Sequence, residues 1–125
     1  MGIKEDASSL HSKGCNCAQC VLGACGKYGG LDTETALAIA SGFGGGVRSG
    51  EICGAISGAV MAIGLLEKDK KNTAVLTRQC VEKFRQTYGC VRCQDLKRAG
   101  VSCRELIENA AQFVDDTLIQ NNNNP

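Results

Sequence analysis

The chain has 125 residues, 43% of them hydrophobic and 4% aromatic, and 14 basic against 13 acidic residues give a formal net charge of +1. That length suits one hydrophobic core and argues against two domains. The interspersed charges leave neither a basic stripe for nucleic acid nor a basic amphipathic face for a membrane. With no Trp and so few aromatics, the core must come from Ala, Val, Ile, Leu and Gly, which suits closely packed helices.

The N-terminus, Met1 to Asp6, is charged and lacks the apolar stretch of a signal peptide, so the default expectation is a cytoplasmic protein. Residues 4 to 13 predict a short amphipathic surface helix that Gly14 stops. Asn16 is an N-cap residue, and positions 17, 20, 21, 24, 25 and 28 follow with helical spacing until Gly29-Gly30. Asp32 caps a third helix through Ala40, with Leu37, Ala38 and Ala40 as its apolar positions, and Gly44-Gly45-Gly46 then demands a loop. Ile52 to Leu66 is apolar nearly all round and too short to span a bilayer. Its Gly54, Gly58 and Ala62 recur every four residues, so another backbone can come close and this becomes the central helix. Asn72 to Tyr88 predicts an amphipathic helix with apolar positions 74, 75, 76, 80, 81 and 84. A short segment runs from Cys93 to Arg98, and Cys103 to Ile119 predicts a last long helix. The expected class is all-α, a single compact bundle of about five to seven helices around the central Gly/Ala-rich helix. Residues 1–119 form the cysteine-rich helical domain, and 120–125 are expected to be a disordered polar tail.

Nine cysteines in a cytoplasmic chain point to metal binding or redox work rather than to a disulfide framework, and the odd number leaves at least one unpaired. Cys17, Cys53, Cys93 and Cys103 each stand where the sequence signals the first turn of a helix. Ser102-Cys103-Arg104-Glu105 reads as a capping box that puts Cys103 in the first helical position, and Asn16 does the same for Cys17. Cys53 heads the apolar run, and Cys93 opens the segment after Gly89. A helix N-terminus carries partial positive charge, so each placement is expected to lower the thiol pKa and favour thiolate. Cys15-Asn16-Cys17-Ala18-Gln19-Cys20 contains one C-x-x-C step and Cys90-Val91-Arg92-Cys93 is another, which adds Cys15, Cys20 and Cys90 as further candidate ligands. The opposing reading makes Cys20, Cys25 and Cys80 small core residues, because free Cys is among the most buried types.

Phe43 to Glu51 contains Gly44, Gly45, Gly46 and Arg48, which could cradle an anion or support a cofactor, although the loop lacks the ending of a P-loop. His11, the single histidine, lies on a polar helix and follows no C-x-x-C, which excludes covalent haem attachment and a Ser/His/Asp set around it.

Asn16-Cys17-Ala18-Gln19, Ala40 to Gly46, Cys53-Gly54-Ala55-Ile56-Ser57-Gly58, Tyr88 to Cys93, and then Cys103 stand in a recurring order. In that order the chain resembles the C_GCAxxG_C_C family of redox-active proteins, over about residues 4 to 118. The domain type is also similar to the iron–sulfur part of a split-Soret cytochrome, although this chain has no haem segment. The resemblance implies a helical, thiol-rich, redox-active domain with electron-transfer partners. The expected function is binding of an iron–sulfur cluster, [2Fe–2S], by Cys17, Cys53, Cys93 and Cys103, for electron transfer or redox sensing. A metal-free thiol–disulfide oxidoreductase or redox switch using Cys53 with Cys93 or Cys103 stays open. So do a structural zinc domain and a homodimer packed through the small-residue face. The redox partner protein is not readable from the sequence.

Overall fold

The computed structural model describes residues 2–120, and the chain is all-α. Seven α-helices follow in order: α1 (Ile3–Ser12), α2 (Cys17–Gly26), α3 (Thr33–Ala40), α4 (Gly54–Leu66), α5 (Lys70–Tyr88), α6 (Cys93–Arg98) and α7 (Cys103–Val114). A 3-10 turn (Lys27–Gly29) extends α2, and a wide π turn (Asp115–Ile119) extends α7. Gln120 closes that turn by donating its amide to Asp115 at 2.6 Å. The rest of the expected tail, 121–125, lies outside the described residues.

Capping chemistry sets most helix starts. Asn16, Asp32, Asp69 and Ser102 each accept a backbone N–H from the first turn with their side chains, which satisfies a donor that the helix leaves unpaired. At α2 the box is complete: Asn16 accepts from the Gln19 N–H and the Gln19 side chain accepts from the Asn16 N–H, both at 2.9 Å. At α7 Ser102 accepts from the Glu105 N–H at 3.1 Å, while the Glu105 side chain faces the Tyr88 hydroxyl.

The centre is a pair of helices. α4 packs on α2, α5 and α7, and α2 packs on α1, α3, α4 and α7, so α2 shares the middle with the small-residue helix. Gly54 and Gly58 allow the approach: a β-carbon on Gly58 would lie 2.8 Å from the Ala18 carbonyl oxygen and 3.1 Å from Val21 Cβ. Around this contact Val21, Ile56, Ile63, Leu96, Ile107 and Val114 are fully buried, each worth about 1.5–3 kcal/mol of apolar transfer. α1 is tied to α7 by polar groups: buried Ser8 donates to Glu108 at 2.6 Å and accepts from Arg104 at 3.2 Å.

Three expected details change. The helix after the glycine loop begins at Gly54, because Ile52 is drawn into an isolated antiparallel bridge with Arg92 and is 44% exposed. In α3 the buried positions are Ala36 and Ala40 rather than Ala38, since the helix turns that face toward α2. α5 buries only Cys80 and Phe84 and leaves Ala74 and Val75 outside the core, because α4 is its one extensive neighbour.

Candidate thiol site

Four helix starts deliver the four cysteines. Cys17 and Cys103 occupy the first positions of α2 and α7, Cys93 the first of α6, and Cys53 is the residue that caps α4. Cys53 and Cys93 flank the bridge between Ile52 and Arg92. The Cys53 N–H donates to Val91 O at 2.9 Å and the Cys93 N–H to Glu51 O at 2.6 Å, which lashes the two segments together. Cys17 is held from the other side. Asn16 donates its side-chain amide to Ser41 O at 3.1 Å and Gln19 donates its own to Leu37 O at 2.9 Å. At Gly54 a β-carbon would run into Cys17 Sγ and lie 2.8 Å from Phe43 O, so only glycine lets the Cys17 sulfur sit against α4.

The thiols feel one another. Cys53 is within electrostatic reach of Cys17 and Cys93, and Cys103 is within reach of the same two, so the four form a ring of electrostatic neighbours that is not gathered on one point. Burial pushes the Cys53 thiol up to about 11, partly opposed by the N–H groups of Ile56 and Ala55 and reinforced by its sulfur neighbours. Cys103 is an exposed residue, yet partial desolvation of its thiol raises its pKa too, followed by Cys17, with Lys97 opposing and Cys93 adding to the rise. This corrects the expectation that these helix starts lower both pKa values. A helix end offers about half a charge, and for these two thiols burial with neighbouring sulfurs outweighs it. Cys53 is therefore held as a neutral thiol near pH 7.

The other cysteines divide. Cys20, Cys25 and Cys80 are fully buried, as the core reading expects. Burial is the leading cause that raises all three to about 12. Cys20 nevertheless borders the site: it is within reach of Cys15, Cys17 and Cys103, and its thiol donates to Cys15 O at 3.6 Å. Cys80 lies within reach of Cys53, which no sequence signal announced. Cys90 points its thiol at the Tyr88 carbonyl, 3.7 Å away. All nine are free thiols. Among the described residues no three Cys, His, Asp or Glu side chains stand close enough to hold a metal ion as they are arranged.

The glycine loop is shaped by its own backbone. Gly45, Gly46, Val47 and Arg48 all have positive φ, 62°, 66°, 58° and 59°, which makes a left-handed turn. For Val47 and Arg48 that conformation costs about 1–2 kcal/mol each, and a β-branched residue is rarely found there. Gly44 lies against the Asn16 side chain, Gly46 against the Glu51 backbone, and Arg48 donates to Ser41 O at 2.8 Å. The loop thus holds the start of α2 beside the start of α4.

A family profile described as "Putative redox-active protein (C_GCAxxG_C_C)" matches residues 15–117. The chain belongs to this family. The C_GCAxxG_C_C match takes in all four ring cysteines and the Cys53 to Gly58 signature, so the glycines that admit Cys17 and Ala18 against α4 lie within the matched region. No curated protein and no solved structure matches the chain. No helix among the described residues is long and apolar enough to cross a membrane.

Proposed function

We propose that the chain binds an iron–sulfur cluster, [2Fe–2S], through Cys17, Cys53, Cys93 and Cys103, and serves electron transfer or redox sensing. The observation that supports this reading is that four separate helix starts each carry a cysteine, with the Cys17 sulfur against Gly54 and Cys53 lashed to Cys93 through the backbone. Thiolate sets of this kind are the usual holders of such clusters. Burial first and neighbouring sulfurs second raise the Cys53 and Cys103 pKa values, and a bound cationic centre would offset that penalty. The helix N-termini would offset the remaining negative charge. On loading, the four sulfurs would have to turn toward a common centre.

One observation weighs against the dithiol reading. A nucleophilic dithiol needs a lowered pKa, whereas Cys53 and Cys103 move upward. A structural zinc site would draw on the same four thiols, and metal analysis separates it from a cluster. The dithiol reading keeps one point in its favour, the bridge that lashes Cys53 to Cys93. Dithionite titration of anaerobically purified protein decides between them. A cluster bleaches in the visible on taking up an electron and recovers on reoxidation. A sample with no visible change on reduction would exclude the cluster.

A further inference from the structure

α3 is an apolar helix with one substantial neighbour. Every residue from Ala36 to Ala40 is apolar, yet among the described residues only α2 packs on the helix extensively. Ala36 and Ala40 are buried against it, whereas Thr35, Ala38 and Ile39 turn outward and Ile39 is 50% exposed. Positions 35, 38 and 39 share one helical face, so a bulky apolar side chain stands beside two small ones that let a second helix come close. The loop carries the apolar surface onward, with Phe43 37% and Val47 49% exposed. The small-residue stripe of α4 offers no such face, because Gly54, Gly58 and Ala62 are already buried within the chain.

The two ends of this face carry opposite charge. Glu34 stands exposed in the first turn of α3, and Arg48 folds back onto the residue that follows the last turn, donating to Ser41 O at 2.8 Å. Among the described residues neither is ion-paired. An acid at one end and a base at the other make a pattern complementary to itself. About a two-fold axis, whatever one residue touches on the copy is returned by the copy. Two α3 helices laid antiparallel across their outer faces put Glu34 of each chain beside Arg48 of the other, with Ala38 and Ile39 of both near the axis. A parallel pairing would set like charges together. This order is what a second copy requires, and an unrelated partner would not need it.

We propose that the outer face of α3 is the interface of a homodimer, a second copy of the chain packing antiparallel on Thr35, Ala38 and Ile39 with an ion pair between Glu34 and Arg48 at each end. The interface is independent of what the thiols hold. An eight-residue helix is about 12 Å long, which puts this face at the low end of interface sizes. The dimer is therefore weak and forms as the protein concentration rises.

The test is sedimentation velocity of the chain as purified, from low to high micromolar protein at low ionic strength, in reductant so that the exposed Cys103 cannot cross-link copies. The unmodified chain should pass from monomer to dimer over that range. Ile39→Gln should weaken the dimer at least about tenfold, since each dimer loses the isoleucine twice. Val75→Gln, which removes an exposed apolar side chain from α5, should leave it unchanged. Glu34→Arg and Arg48→Glu should each weaken it, and the two together, which exchange the charges, should restore it. A thermal melt of each variant shows that the fold is kept. A chain that stays monomeric at every concentration would overturn the proposal and leave the face to a partner of another kind. A dimer that Ile39→Gln does not weaken, or weakens no more than Val75→Gln does, would lie on another face and overturn it as well. Loss of the dimer in the charge-exchanged variant would overturn the pairing of Glu34 with Arg48.

Discussion

Alanine at Gly58 is expected to cost about 2–3 kcal/mol and alanine at Gly54 at least as much, the cost of forcing atoms into a packed contact, lowering Tm by about 5–15 °C. The reason is that the obstructing atoms are largely backbone. A β-carbon on Gly58 meets Ala18 O at 2.8 Å and Ala18 Cα at 3.3 Å. One on Gly54 meets Phe43 O at 2.8 Å and Ala18 N at 3.3 Å, besides Cys17 Sγ. No side-chain rotation relieves these backbone contacts, so α2 and α4 must separate, and the Cys17 sulfur moves with them. Gly64 supplies the internal control. It lies in the same helix, is exposed, and a β-carbon there would meet nothing within 4 Å. Gly64→Ala should stabilise the chain by about 0.5–1 kcal/mol through helix propensity. Urea denaturation of the three variants checks the pattern. If Gly58→Ala behaves like Gly64→Ala, the close approach of the two central helices is wrong.

On the proposed cluster reading, serine in place of Cys17, Cys53, Cys93 or Cys103 is expected to abolish the cluster's visible absorption and cut bound iron at least about tenfold, since even outer-shell losses at metal sites cost that much. The four need not be equal. Cys53 is 2% exposed and is fixed by its N–H bond to Val91, so Cys53→Ser removes a buried, backbone-anchored donor. Cys103 is exposed, so Cys103→Ser should fold normally and report on ligation alone. Cys25→Ala is the matched control, because Cys25 is fully buried and none of the four ring thiols is among the causes of its shift. It should lower stability by about 1 kcal/mol, the cost of a small cavity, and leave the chromophore unchanged. Iron content and absorption of each purified variant give the result. Equal loss in Cys25→Ala would mean that the series reads folding rather than ligation.

Much of this architecture is legible in local chemistry. Asn16, Asp32 and Ser102 mark their helix starts because a short polar side chain satisfies orphan N–H groups, and each does so in the structure. The spacing of Gly54 and Gly58 announces a close helix contact for the same local reason. What stays hidden depends on partners distant in sequence. The start of α4 at Gly54 is decided by Arg92, which pairs with Ile52 across the chain. Gln19 completes the α2 box and also ties it to Leu37 O, a bond that the sequence does not show. The direction of the Cys53 and Cys103 shifts runs against the sequence reading because the helix dipole is visible in the sequence, whereas burial and the company of other sulfurs arise only on folding. Four consecutive residues with positive φ, two of them not glycine, have no sequence signal beyond the glycines that begin the run.

The most direct test of the central claim is determination of iron, zinc and acid-labile sulfide on one anaerobically purified sample whose visible spectrum is also recorded. The four-thiol site predicts about two irons and two sulfides per chain, the content of a [2Fe–2S] centre, with visible absorption. A colourless chain without iron or sulfide after anaerobic reconstitution would contradict it and leave dithiol chemistry, and zinc alone would leave a structural site.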